Sequence, residues 1–108
     1  MIYLFNMVKY KRIYLESLGY APSDFIACEL SGQKAVDIHH IISRGKKGED
    51  RIENLMALTR ENHLKYGDKK QFMKLLLIKH KEFLDFNGVT YDNNYFNELI
   101  KKYEDYTN

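Results

Sequence analysis

Two short segments of the chain have the pattern of β-strands, and a polar loop of eleven residues (43–53) joins them. In the first segment Val36 and Ile38 alternate with polar residues, which is the two-residue period of a half-buried strand. The second, NLMAL at residues 54–58, is short and apolar. So little strand-forming sequence allows only a small sheet, and helices have to supply most of the core.

Helical patterns flank the two strands. Apolar residues recur at helical spacing in three segments, 7–18, 69–86 and 92–106. Thr59 is a predicted N-cap, followed by a helix with a break at Gly67–Asp68, and Asp92 is the predicted cap of the last helix. The chain is therefore predicted to have an α+β fold.

The length of 108 residues suits a single domain over residues 1–108, with its core at about residues 25–68.

Cys28 is the only cysteine, which excludes an internal disulfide and fits a reducing compartment. No apolar run approaches the roughly 20 residues of a membrane span. Charges follow the apolar N-terminal stretch rather than precede it, unlike in a signal peptide. A cytoplasmic protein, in a phage-infected host for example, is predicted.

Charge is distributed unevenly although the net charge is only +2. Residues 60–81 carry a net charge of +5, and residues 82–108 carry −4. A basic segment of this kind is typical of a polyanion-binding face, but a solvated helix surface has the same composition. Charge alone leaves both interpretations open.

Two of the four histidines are adjacent, at the end of the first predicted strand. Asn54 follows His40 by fourteen residues, and His63 follows Asn54 by nine. A tight strand–strand–helix unit would bring His39, His40, Asn54 and His63 together. Phosphodiester hydrolysis needs a base to activate water, a cation to stabilise developing charge, and a group that orients the base. Histidine and asparagine can serve these roles.

The motif DIHHI, Asn54 in ENLMAL and His63 in TRENH together resemble the HNH endonucleases, which have the ββα-metal fold. With the flanking DFIACELSGQKAVDIHHI, the resemblance covers roughly residues 24–68. It implies a ββα-metal core with flanking helices. The implied function is a metal-dependent nuclease that hydrolyses DNA, a nicking enzyme of phage or mobile-element origin.

The resemblance also implies a role for each matching position. His39 corresponds to the first metal ligand and His63 to the second. His40 corresponds to the general base, and Asn54 to the residue that holds the metal loop and the base in place. Asp37 shares a strand face with His39, so it is a candidate either for a further ligand or for a group that orients His39.

The chain departs from the family pattern at the structural zinc site that many relatives build from two Cys-x-x-Cys pairs. The matching positions are Cys28, Ser31, Thr59 and Asn62. A Cys₄ site is impossible with one cysteine, so no structural zinc is predicted.

A second departure concerns the active-site metal. Some relatives carry another histidine one helical turn after the second ligand, where this chain has Gly67. Two imidazoles leave the identity of the divalent ion open. Magnesium is the first expectation, and manganese, nickel and zinc are alternatives.

Basic residues lie beside the predicted site. Those expected to contact DNA phosphates are Arg44, Lys46, Lys47, Arg51, Lys65 and Lys69. A purely solubilising role is the alternative. His80 belongs to no pattern and is predicted at the helix surface or the edge of the core, whereas Cys28 is predicted to be buried.

Two other function classes fit the same residues. A degenerate HNH domain would bind DNA, or a partner in a phage terminase or packaging machine, without cutting. A nuclease toxin or defence effector is the third class. An intact His40 favours an enzyme, and double-strand cleavage by one small active site would require a homodimer or two encounters.

Overall fold

Two antiparallel strands form the centre of the fold, and helices pack around them. The computed structural model describes residues 7–106. In chain order the regular elements of this part are α1 (Lys9–Leu18), β1 (Asp37–His40), β2 (Leu55–Leu58), α2 (Arg60–Tyr66), α3 (Lys70–Phe86) and α4 (Asn93–Lys102). Short 3₁₀ turns lie at Arg44–Lys46, Ile52–Asn54 and Glu104–Tyr106. The predicted α+β class is confirmed.

The strand β2 is buried on both faces, which explains its unbroken apolar sequence. Asp37 pairs with Leu58, and His40 pairs with Leu55. Leu55 and Ala57 pack with Tyr14 of α1, whereas the intervening residues pack on the other face against α3 and α4. Alternate side chains of β2 therefore point to opposite faces, so this one strand packs against α1 on one face and against α3 and α4 on the other.

The segment before β1 is less regular than a strand. A bridge between Ala27 and Lys34 closes a turn at Ser31–Gly32, and the φ of Gly32 is +77°. The regular strand is only Asp37–His40, because continuous pairing is available only where β2 lies alongside.

Three of the four positions that correspond to zinc cysteines, Cys28, Thr59 and Asn62, are joined by hydrogen bonds. Asn62 Nδ2 donates to Thr59 Oγ1 at 3.0 Å and to the buried Cys28 Sγ at 3.6 Å. Thr59 Oγ1 also accepts from the Asn62 backbone N–H at 3.1 Å, which makes it the N-cap predicted for α2. A small polar network thus joins β2, α2 and the turn around Cys28. The absence of a structural zinc stays a prediction.

The helix boundaries agree with most of the sequence-based expectations. Asp92 caps α4 by accepting from the N–H groups of Asn94 and Tyr95, as predicted. α2 ends at Tyr66 and α3 begins at Lys70, so the break at Gly67–Asp68 is real. The last helix is shorter than the predicted 92–106, since a 3₁₀ turn follows it.

The prediction that His80 lies at the surface or at the edge of the core is wrong. Its side chain is 0% exposed and is bonded through both ring nitrogens. Nδ1 lies 2.7 Å from Glu29 Oε1, and Nε2 lies 2.6 Å from Ile52 O. Glu29 also accepts from Tyr14 Oη at 2.6 Å. Because these partners come from distant parts of the chain, no local pattern indicated that His80 is buried.

Within residues 7–106, no helix combines the length and the apolar character needed to cross a membrane. The predicted single domain spans residues 1–108, of which residues 1–6 and 107–108 lie outside the described part.

Candidate active site

The rings of His39 and His63 lie next to each other, with their planes inclined by 47°, where the end of β1 meets α2. Their ring centroids are 4.5 Å apart. His39 is only 4% exposed, and its Nε2 is a buried polar atom without a hydrogen-bond partner. Buried polar atoms are almost always satisfied, so an unpartnered imidazole nitrogen indicates a place for a ligand.

Asp37 orients His63 rather than His39. Its Oδ2 lies 2.9 Å from His63 Nδ1, and Arg60 donates to both carboxylate oxygens at 2.8 and 2.9 Å. The Arg60 guanidinium, together with His63, holds the pKa of the Asp37 carboxyl at about 2. The ionised carboxylate therefore fixes the proton of His63 on Nδ1 and leaves Nε2 free. The sequence-based alternative that Asp37 orients His39 is not supported, because the Asp37 side chain bonds Arg60 and His63.

Asp68 is a third candidate ligand, and sequence reasoning missed it. One donor atom each from His39, His63 and Asp68 lie within 4.8 Å of one another. Asp68 has a positive φ of 58° and lies in the turn between α2 and α3. The only sequence signal was the Gly-Asp break between the two helices.

At Gly67, the position where some relatives carry histidine, neighbouring atoms leave no room for a side chain. A Cβ at this position would lie 2.5 Å from His63 O, 2.8 Å from His63 Cδ2 and 3.2 Å from His39 Cε1. The two rings therefore pack directly on the glycine backbone. Any side chain at this position would displace the histidines.

The donor set fits a divalent metal ion. Burial, reinforced by the neighbouring His63, lowers the pKa of His39 to about 4. Its ring is consequently neutral at neutral pH, the form that binds a metal. Two imidazoles and one carboxylate are ligands that first-row divalent ions accept, and an oxygen ligand extends the set to magnesium.

His40 lies beside this cluster, half-buried, with partners from the loop and from α1. Its Nε2 lies 2.8 Å from Asp50 Oδ1. The ring of Tyr10 meets the His40 ring edge to face, with centroids 4.8 Å apart and planes inclined by 63°. Neither Asp50 nor Tyr10 was identified from the sequence, because one lies ten and the other thirty residues from His40 with no repeating pattern.

Asp50 is shared between His40 and Arg44. Arg44 donates to its two oxygens over distances of 2.9 to 3.2 Å. The hydrogen bond from His40, together with Arg44, holds the pKa of Asp50 below its usual range. The loop therefore presents an ionised carboxylate to the candidate base.

Asn54 is fully buried and holds the loop that follows β1. Its Oδ1 accepts from Ile42 N at 2.8 Å. Its Nδ2 donates to Ile42 O and to Glu49 O, both at 3.0 Å. These contacts are what the predicted loop-holding role requires.

The predicted phosphate-contacting residues fall into two groups. Lys46 and Lys47 are exposed, and within residues 7–106 neither takes part in an ion pair. The others have protein partners: Arg44 pairs with Asp50, and Lys69 donates to the last carbonyls of α2. Arg51 pairs with three acidic residues and lies over the ring of Tyr95, and Lys65 lies over Tyr66.

An open cleft brings the two halves of the site together. It is lined by Tyr10, Ile38, His39, His40, Ser43, Arg44, His63 and Asp68. The candidate metal ligands and the candidate base thus face one solvent-accessible space. In this arrangement a cation and a general base can act on one substrate bond.

Comparison with known proteins gives one match. The family model described as HNH endonuclease matches residues 26–69, a range that contains both strands, the loop and α2. No curated protein and no solved structure matches the chain. The match supports a nuclease-like function in general.

Proposed function

Because residues 26–69 match the family model described as HNH endonuclease, we propose that this protein is a metal-dependent endonuclease that hydrolyses phosphodiester bonds of DNA. One observation carries the proposal above all. His39, whose buried Nε2 has no hydrogen-bond partner, lies with His63 and Asp68 in a cluster of possible ligands, and all three line the cleft that contains His40. A binding module without catalysis has no need of a base beside a ligand cluster.

His39, His63 and Asp68 would hold the metal ion, for which magnesium is our first choice and manganese, nickel or zinc are alternatives. When bound, a divalent cation stabilises the negative charge that develops on the phosphate and on the leaving oxygen. Asp37 keeps the ring of His63 oriented through their 2.9 Å hydrogen bond. Asp68 takes the place of Asp37 in the ligand set, since both oxygens of Asp37 are bonded to protein partners.

His40 would act as the general base. It takes a proton from a water molecule whose oxygen attacks the phosphorus, and the bond between phosphorus and the leaving oxygen breaks. Asn54 supports this arrangement by bonding the backbone carbonyls of Ile42 and Glu49 in the loop that follows the base.

Lys46 and Lys47 are the cations best placed to receive DNA phosphates, because they are exposed and the nearby arginines are in ion pairs.

We further propose that the enzyme nicks DNA and belongs to a phage or mobile element. One active site makes one cut, so linear product would require a homodimer. A non-cleaving DNA-binding or packaging module is the competing function.

Cleavage of supercoiled plasmid tests the proposal. Wild type and His40→Ala are incubated with magnesium, manganese, nickel, zinc or EDTA. Metal-dependent conversion to open circle that the variant loses is the expected result. The contrary result is that no metal supports cleavage, while the protein binds DNA in a salt-sensitive way that His40→Ala leaves unchanged. That result would favour the non-cleaving binding module.

Metal binding is measured separately by calorimetry with manganese or zinc. Asp68→Asn is expected to weaken binding at least about tenfold, since it removes a charged ligand. Asp85→Asn, on the exposed side of α3, is the matched control. Equal affinity of Asp68→Asn and wild type would remove Asp68 from the ligand set.

A further inference from the structure

The candidate base is enclosed by a ring of contacts. Asp50 Oδ1 bonds His40 Nε2 at 2.8 Å, and Arg44 bonds both oxygens of Asp50. The Arg44 guanidinium carbon lies 5.2 Å from the centroid of the Tyr10 ring. Tyr10 in turn contacts the His40 ring. Three side chains from α1 and the loop thus restrain one imidazole.

The contact with Asp50 determines which ring nitrogen carries the proton. An ionised carboxylate can only accept hydrogen bonds. His40 Nε2 must therefore be the donor, and in the neutral ring Nδ1 is left as the acceptor. Asp50 thus orients the candidate base, as the third residue of a catalytic triad orients its base.

Tyr10 adds a restraint from outside the matched domain. It belongs to α1 (Lys9–Leu18), whereas the family match begins at residue 26. Its ring packs on His40 and lines the same cleft. The orientation of the base thus depends on an element that precedes the HNH domain.

We propose that Asp50 is the positioning residue of His40: its carboxylate holds the Nε2 proton and directs Nδ1 toward the substrate water, with Arg44 and Tyr10 fixing the carboxylate and the ring. The part of this inference that concerns the substrate water rests on the proposed nuclease function. The hydrogen bond itself is measurable without catalysis.

Nuclear magnetic resonance of the full chain without metal tests the hydrogen bond. Wild type should show a separate Nε2–H proton resonance for His40, correlated with its ring ¹⁵N, because a bonded proton exchanges slowly with water. Asp50→Ala should lose that resonance. Asp50→Asn should retain it, since the position of Oδ1 receives donors from His40 and Arg44 and so favours the amide oxygen.

Kinetics test the positioning role. Asp50→Ala is expected to lower kcat by about 10- to 100-fold, less than the full contribution of a general base. KM and the dissociation constant of manganese should stay within about twofold. Asp50→Asn should recover most of kcat, and Asp85→Ala, which removes an exposed carboxylate from α3, should change neither kcat nor the resonance.

Two results would overturn the inference. One is a His40 whose Nε2 carries no proton in wild type. The other is a resonance that persists unchanged in Asp50→Ala. If wild type cleaves no DNA, the proposed function fails, but the resonance still decides whether Asp50 holds His40.

Discussion

The side chain of Asn54 binds the backbone of Ile42 in the way that a neighbouring strand would. Its Oδ1 accepts from Ile42 N at 2.8 Å, and its Nδ2 donates to Ile42 O at 3.0 Å. Ile41 N also donates to Asn54 O at 2.9 Å. The amide therefore continues the pairing of β1 and β2 beyond His40, at the point where the chain enters the loop.

Asn54→Ala should destabilise the protein by about 2–4 kcal/mol, because the buried N–H and carbonyl of Ile42 and the carbonyl of Glu49 lose their partners. Urea unfolding measures the change. Asn97→Ala, at an exposed position of α4, is the control and should have little effect. A loss for Asn54→Ala no larger than that of the control would contradict the loop-holding role.

Gly48→Ala should abolish activity and destabilise the loop. A Cβ at this position would lie 1.7 Å from Ile42 O and 2.8 Å from Ser43 O, so the loop that carries Asp50 would have to move. Gly45→Ala is a matched control in the same loop, since the nearest atom to its Cβ is Ser43 Oγ at 4.0 Å. Plasmid cleavage and thermal unfolding of both variants are compared. Equal behaviour of the two would show that the close packing at Gly48 is unimportant.

His80→Ala should destabilise the protein by about 3–5 kcal/mol, because it removes one partner of the buried carboxylate of Glu29. Both side chains of this pair are 0% exposed. Urea unfolding of His80→Ala, Glu29→Gln and the double variant forms a cycle. The double variant should be less destabilised than the sum of the two single changes. Strict additivity would mean that the two groups do not interact.

Acid should remove the stabilisation that Glu53 provides. Burial by itself raises the pKa of Glu53, but the hydrogen bonds from Arg51 and from the backbone N–H of Asp92 outweigh it, so the pKa is lowered from its usual 4.5. A carboxyl with a depressed pKa stabilises the folded state above its unfolded pKa, and this contribution is lost as the pH falls through the folded pKa.

The free energy of unfolding of wild type and Glu53→Gln, measured from about pH 7 to pH 3, tests this prediction. The difference between them should be constant near neutrality and should shrink below about pH 4.5. Glu98→Gln, an exposed position of α4, should show no such dependence. A difference that grows in acid would reverse the assigned direction.

Lys46→Ala and Lys47→Ala should weaken DNA binding, and the slope of log affinity against log salt should fall by about one for each lost phosphate contact. Arg51→Ala should instead lower stability, because its guanidinium bonds Glu53 at 2.9 Å and lies 4.2 Å from the centroid of Tyr95. Fluorescence anisotropy over a salt series, paired with urea unfolding, separates the two effects. A salt slope unchanged in both lysine variants would exclude them from the DNA contact.

Local features of the fold were predictable because their causes lie within a few residues. The N-cap of Thr59, the cap of Asp92 and the break at Gly67–Asp68 follow from short-range hydrogen bonding and backbone preference. The alternation around Ile38 predicted β1 for the same reason. The adjacent histidines with Asn54 and His63 predicted the ligand and base positions, and those roles stay predictions until the variants are measured.

The amino-acid sequence by itself determined the order of the elements, the α+β class and the spacing that resembles the HNH endonucleases. Only the tertiary structure decided that Asp68 lies with both histidines in a cluster of possible ligands while Asp37 bonds His63. It also decided that Asp50 and Tyr10 contact His40, and that His80 is buried with Glu29. The physical reason is distance along the chain. Each of these contacts joins residues on different elements, so it depends on how those elements pack and has no periodic signature in the sequence.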